Sequence, residues 1–479
     1  MTERPRLGWP TKLGYAAGGV AYGVKGNGFS YFLMFCYSQA FGLPPEQVGL
    51  ALLLAFLLDA FSDPVVGYIS DKTKSPLGRR HPYMLAAILP VGVVYWALWN
   101  PPDDISQGQL FWYLVACAVG VRLLITLFEV PCTAMNAELT QDYDERTSLL
   151  TLRAVVIYIG GVIMAATTLR FILQAEEGQS AFTDAEGFGD YGLVAALAIM
   201  GSIAVCVIST RHFIPHMHSA AIVPKSLRAS MAQVWLTLKS PSLGALFASQ
   251  LSSYAAFGVS ASLIYYVQAY FWELSTTQSS TITASILVGA ALAFFMAPRV
   301  TKRVGKRWAA LIFGGTALLL TTGPVTLRLF GLFPANGTDT LYYTILSVTL
   351  INYGCIIALN AVTTSMFSDL VEEAEIRSGQ RSEGLLFAVM TFSRKSVEGV
   401  GLLSASVILA LINFPEGADP GEVPSETVFH LGAFYMPSVF LLWAVSLVFL
   451  SQYRISRQDH EANLEALSAR SAARLEDPD

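Results

Sequence analysis

The sequence predicts an all-α integral membrane protein with twelve transmembrane helices in two six-helix bundles. Three observations carry that expectation. Of 479 residues, 53% are hydrophobic and only 14% are charged, whereas an ordinary soluble domain carries about 25% charged residues. Crossing a bilayer as a helix takes roughly 20 apolar residues, and stretches of that length recur twelve times. Lys and Arg gather in alternate turns between them, as short cytoplasmic loops do. Thirty Lys and Arg against thirty-five Asp and Glu give a net charge of −5, so there is no basic excess to hold nucleic acid.

The spans are expected near 12–39, 46–70, 82–99, 108–137, 148–173, 191–210, 242–272, 279–298, 307–327, 340–368, 384–412 and 427–452. An even number puts both termini on one side. That side collects Arg4, Arg6, Lys12, Lys72, Lys74, Arg79 and Arg80, and later Arg299, Lys302, Arg303, Lys306 and Arg307, against Arg170 and Arg328 opposite. Both termini are therefore expected in the cytoplasm, with the chain in the cell inner (plasma) membrane. The opening MTERPRLGWPTKLGY lacks a cleavable leader's apolar core and small-residue cleavage site, so the first span is expected to persist as a helix. The longest cytoplasmic connection divides the chain into an N-terminal bundle over 1–210, a connector over 211–241, a C-terminal bundle over 242–453 and a tail over 454–479. Within the connector, Leu227, Met231, Val234, Trp235 and Leu238 recur at helical spacing beside Lys225, Arg228 and Lys239, as in a helix lying along headgroups. Six plus six spans suggest a duplicated transporter.

Each span adds its own chemistry. The first is rich in glycine for close helix packing and carries the polar residues Tyr22, Lys25 and Asn27. The second holds Asp59 and Asp63 at i,i+4, two carboxylates on one helix face. Two such groups in a low dielectric repel unless a cation lies between them, and oxygen ligands suit Na⁺ or H⁺. Pro64 removes a backbone donor next to them. The turn that follows, with Asp71, Gly78, Arg79 and Arg80, has a partial echo after the eighth span, where Gly305 precedes Lys306 and Arg307. In the fourth span Arg122 and Glu129 are i,i+7 on one helix face, which suits either one buried polar network or Arg122 as the structural counterion of Glu129. The fifth holds Arg153, the tenth Asn352 and Asn360, and the eleventh Arg394, Lys395 and Glu398, of which Lys395 and Glu398 form a possible i,i+3 ion pair. Ionisable residues this deep cost several kcal/mol unless paired or hydrated, which makes them functional candidates. The five cysteines are scattered through apolar stretches and suggest neither a disulfide nor a metal centre.

Several motifs together resemble the glycoside–pentoside–hexuronide:cation symporters of the major facilitator superfamily. They are KLGYAAGGVAYG in the first span, LDAFSDPVVGYISD followed by GRRHPY, FEVPCTAM, TLRAV, FSDLVEEAEIRSGQRSEGLLF and FSRKSVEGVG. The resemblance implies the major facilitator fold and alternating access, with Asp59, Asp63 and Glu129 binding the coupling ion, Na⁺ or H⁺, and Lys395 beside them. It implies a small-molecule cargo, a monomer surrounded by membrane lipid, no enzyme activity and no cofactor. Where galactoside-carrying members have a first-span aspartate this chain has Gly23, and where they have a fourth-span tryptophan it has Thr133. A sugar or glycoside would then rest on Asn27, Arg122, Glu129, Asn352 and Asn360. The first span is also similar to the sodium-dependent lysophosphatidylcholine symporters, which would give Arg153 and Lys395 a lipid headgroup instead. A third reading from the residues alone is a membrane Mg²⁺-dependent prenyltransferase, with Asp59, Asp63 and Asp71 as one acidic cluster and Asp369, Glu372, Glu373 and Glu375 as the other.

Overall fold

The structure is a computed structural model that describes residues 7–140, 142–174, 181–216, 241–378 and 383–453. The stretch from Leu227 to Leu238 and the tail 454–479 lie outside the described residues. Among the described residues every regular element is helical, and a helix lies at each expected span. The first span is Trp9–Ala17 and Gly19–Asn27, continued by the short turns Gly28–Phe32, Leu33–Phe35 and Cys36–Ala40. The next five are Pro45–Lys72, His81–Trp99, Gln107–Leu139, Tyr143–Thr167 and Ala185–Thr210. Then come Pro241–Tyr266, Thr276–Leu329, Asp339–Ser378, Glu383–Leu411 and Ser425–Leu450. The stretch Thr276–Leu329 holds the eighth and ninth spans and is broken at Gly305, whose φ of 80° only glycine adopts cheaply.

Eight of the described helices are long and apolar enough to cross a membrane by length and composition alone. The first span falls short because it is broken into pieces. The eleventh carries Arg394, Lys395 and Glu398 in its apolar run. Helix starts follow local chemistry. Ser106 and Gln109 form a reciprocal capping box at Gln107, and Asp142 accepts the Glu145 amide at 2.7 Å. The Glu145 carboxylate in turn pairs with Lys12 and accepts from the Thr140 hydroxyl, each at 2.7 Å.

The chain gathers into two compact units. The first comprises Met1–Ala221, Gly258–Ala284 and Glu398–Tyr435. Here the glycines of the first span let helices approach closely. A Cβ on Gly14 would strike Ser209, one on Gly18 would strike Phe128 and Cys206, and one on Gly23 would enter the backbone of Ile157 and Gly161. At the far end of this unit the first span and the seventh finish alike. The Phe41 amide donates to the Cys36 carbonyl and that of Trp272 to Val267, each closing a wide π-type turn. Leu43 then donates to Tyr37 and Leu274 to Gln268, both at 2.9 Å, around a residue of positive φ, Gly42 or Glu273. The two ends meet where the Tyr270 hydroxyl donates to the Gln39 side chain at 3.0 Å, across 231 residues of sequence. Phe32 stacks on Tyr265 and Phe35 packs on Tyr266 beside them. The two helix ends thus share a backbone turn but few side chains.

The second unit comprises Ile222–Phe257, Ser285–Val397 and Met436–Asp479. Ser249 and Ser253 both bond Ser446 there, and Gly289 lies against Tyr353 and Gly354. Each unit also contains one glycine–basic turn. In the first, Gly78 has φ 73° and the guanidinium groups of Arg79 and Arg80 donate to Glu138, while Arg80 also pairs with Asp71 at 2.7 Å. In the second, Lys306 follows Gly305 and reaches both oxygens of Asp369 at 2.7 Å, and Tyr453 donates to the same carboxylate. The echo expected between the two turns therefore extends to an acid two helices downstream, which the spacing of the turns alone does not reveal.

Glu138 is buried and accepts from two arginines, whereas Asp71 is largely exposed. Breaking a buried ion pair by removing one partner costs about 3–5 kcal/mol, while an exposed pair contributes about 0–1 kcal/mol. Glu138→Gln is therefore expected to lower the apparent melting temperature clearly, and Asp71→Asn only slightly. Equal shifts in detergent-solubilised protein would contradict the assignment of Glu138 as the anchor of this turn.

Candidate functional site

The candidate site is built on two helices of the first unit. On Pro45–Lys72, the i,i+4 spacing turns Asp59 and Asp63 to the same side, and the helix continues unbroken through Pro64. On Gln107–Leu139, Arg122, Thr126 and Glu129 follow at i,i+4,i+7 along one face. The two faces meet. The Arg122 guanidinium donates to Asp59 Oδ2 at 2.7 Å, and the Thr126 hydroxyl lies 2.9 Å from Asp59 Oδ1 and 3.2 Å from Asp63 Oδ1. A hydroxyl carries a single proton, so Thr126 serves the two carboxylates in turn or shares its proton between them. Asp59 is 0% exposed and Arg122 3%, while Asp63 is half-buried. The guanidinium is also held by ring faces, with its carbon 3.3 Å from the Phe56 centroid and 4.8 Å from that of Phe29.

The sequence leaves two readings open for Arg122, a network or a counterion to Glu129, and the ion pair seen is with Asp59. The i,i+7 spacing does place Arg122 and Glu129 on one face, but Asp59 comes across from the neighbouring helix and takes the guanidinium directly. Glu129 is half-buried further along, within electrostatic reach of Arg153. Arg153 is 5% exposed and donates through Nη1 to Thr133 at 2.5 Å, while its Nε and Nη2 are buried without a hydrogen-bond partner. Tyr15 contributes a ring face 5.8 Å away.

From the first span, Lys25 is buried with its ammonium 4.4 Å from the Tyr22 ring centroid. Asn27 is half-buried, its side chain against Gly161 of the fifth span. Gly23 is filled by helix contact and has no room for any side chain. Glu398, expected as a partner for Lys395, accepts a hydrogen bond from Ser30 at 3.0 Å.

The remaining expected residues belong to the second unit. Lys395 is buried there. Asn352 donates to Thr321 at 2.9 Å, and its amide oxygen is buried without a partner. Asn360 is exposed, and its backbone carbonyl takes the hydroxyls of Thr363 and Thr364. Asp369, part of the acidic cluster considered for diphosphate chemistry, is neutralised by Lys306. Sequence reasoning passed over Thr126, Phe29, Phe56 and Glu138. Thr126 was within reach of it, as the polar residue midway between Arg122 and Glu129 on a 3.6-residue period.

A family model described as MFS/sugar transport protein matches residues 14–457. Over its full length the chain is similar to the putative glycoside/cation symporter YagG of Escherichia coli strain K12, with 24% identity covering 95% of this chain and 93% of that protein. The uncharacterized symporter sll1374 of Synechocystis is 38% identical over a shorter stretch, 33% of this chain and 30% of the relative's length. Among solved structures, the inward-open conformation of the xylose transporter XylE from E. coli superposes with a TM-score of 0.61. That match covers 95% of this chain and 98% of XylE at 12% identity, a likeness of fold.

Proposed function

The chain belongs to the MFS/sugar transport protein family, and from that premise we propose that it is a multi-pass symporter coupling a monovalent cation to the entry of a sugar or glycoside. The single observation that carries the coupling reading is the pair of carboxylates sharing one hydroxyl inside an apolar helix pair, Asp59 and Asp63 at Thr126. Oxygen ligands at that spacing suit a hard monovalent ion, and Glu129, half-buried on the same face, adds a further acid. Cargo is assigned to polar groups of the first unit outside that pair, namely Lys25, Tyr22, Asn27 and the Arg153–Thr133 pair. Lys395 is assigned a charge-compensating role when the ion leaves. The turn of Asp71, Gly78, Arg79 and Arg80, anchored on Glu138, is assigned the cytoplasmic closure. Both termini face the cytoplasm, the halves 1–210 and 242–453 rock as a monomer, and 211–241 joins them.

A ligand raises apparent stability only by binding the folded state. Purified protein should therefore melt at a higher temperature with a hexoside or pentoside, and higher again when Na⁺ is added. Stabilisation by lysophosphatidylcholine and by no sugar would replace the sugar with an amphiphile. An absence of any cation effect from pH 5 to 8 would remove the coupling.

A further inference from the structure

We propose that Arg122 is a built-in competitor of the coupling cation: its guanidinium occupies Asp59 in the cation-free carrier, and a metal cation binds only as that ion pair opens. This rests on the reading of Asp59 and Asp63 as the cation site. The pair is short, 2.7 Å, and both partners are buried. Asp59 Oδ1 and Asp63 Oδ1 are the two oxygens that converge on Thr126. A metal ion seated between them would share the Asp59 carboxylate with Arg122, bringing two positive charges to one carboxylate where little water screens them.

The guanidinium is built to let go. Nε is buried without a hydrogen-bond partner, so the group is not fully satisfied where it rests. The faces of Phe56 and Phe29 offer a cation a hold that does not depend on Asp59. Arg122 can therefore withdraw from the carboxylate without entering an environment devoid of partners. When the metal ion leaves, Arg122 returns to Asp59, and the empty carrier does not hold two bare carboxylates in the membrane.

The competition lowers apparent cation affinity by the fraction of carriers in which Asp59 is open. Removing the competitor without removing the ligands should reverse this. In Na⁺ and Li⁺ titrations of the purified full-length protein, followed by heat of binding, Arg122→Gln is expected to bind Na⁺ at least tenfold more tightly than the unaltered chain. Arg122→Lys, which keeps a competing charge, should stay within a few-fold of the original. A folded Arg122→Gln protein with equal or weaker Na⁺ affinity would overturn the proposal, because a purely structural arginine would loosen the site when lost.

A second measurement needs no variant. Saturating Na⁺ should speed phenylglyoxal modification of Arg122 several-fold, read by peptide mass, since the guanidinium is then released from Asp59. An unchanged or slower rate with Na⁺ bound would sink the idea. If Na⁺ binds but neither expectation holds, this inference alone fails. If neither the unaltered chain nor Arg122→Gln binds Na⁺ or Li⁺, the inference falls together with the metal-cation reading of the site.

Discussion

Asp59→Asn is expected to destabilise the protein by about 3–5 kcal/mol, because it leaves the buried Arg122 guanidinium without its carboxylate. The neighbouring Asp63→Asn should cost less, because Asp63 is not fully buried and is not the carboxylate that holds Arg122. Asp63 is half-buried, and an amide oxygen can still accept from the Thr126 hydroxyl that lies 3.2 Å from its carboxylate. If Asp59 and Asp63 hold the coupling ion as proposed, both substitutions should abolish uphill accumulation, but only one should lower the melting temperature strongly. Removing both members of the pair, as Asp59→Leu with Arg122→Met, should recover most of the lost stability, since a well-packed apolar pair avoids the desolvation cost. An Asp59→Asn protein that melts with the unaltered chain would show that the ion pair contributes nothing to the fold.

Gly23→Asp should be equally damaging, by about 3 kcal/mol or more, for a different reason. A Cβ at this position would enter the backbone of Ile157, and its carboxylate would be buried in a helix contact with no space to turn. The acid that galactoside carriers place there therefore cannot be grafted into this chain, and Gly23→Asp should gain no galactoside binding. Gly26, one turn on, has open space within 4 Å of where a Cβ would stand, so Gly26→Ala should be neutral or slightly stabilising. Normal melting of Gly23→Asp, measured beside Gly26→Ala, would contradict the packing account.

Much of this was legible in the sequence because the bilayer is a severe constraint. Every backbone polar group within it must be satisfied internally, so apolar runs of helical length and their basic turns gave the elements and their order. The carboxylate pair on the second span and the polar face of the fourth were legible for the same reason, as charges where charge is costly. Partner choice across helices was not. Arg122 shares its own helix face with Glu129, yet the register between the second and fourth spans decides that Asp59 reaches it first, and no local spacing encodes that register. The matching ends of the first and seventh spans were hidden because backbone hydrogen bonds define them, while Gly42 and Glu273 have no chemistry in common. Glu138 was missed, and Asp369 was legible only as part of an acidic cluster, because each lies far along the chain from the turn it anchors.

The central claim is that the coupling ion binds at Asp59 and Asp63, and its most direct test is cation flux driven by cargo. In proteoliposomes with no initial Na⁺ gradient, an imposed gradient of the best stabilising sugar should drive uptake of labelled Na⁺ through the unaltered protein. Asp63→Asn, the variant expected to stay folded, should still exchange labelled sugar across the membrane but carry no Na⁺ with it. Sugar-driven Na⁺ uptake by Asp63→Asn at the unaltered rate would contradict the account.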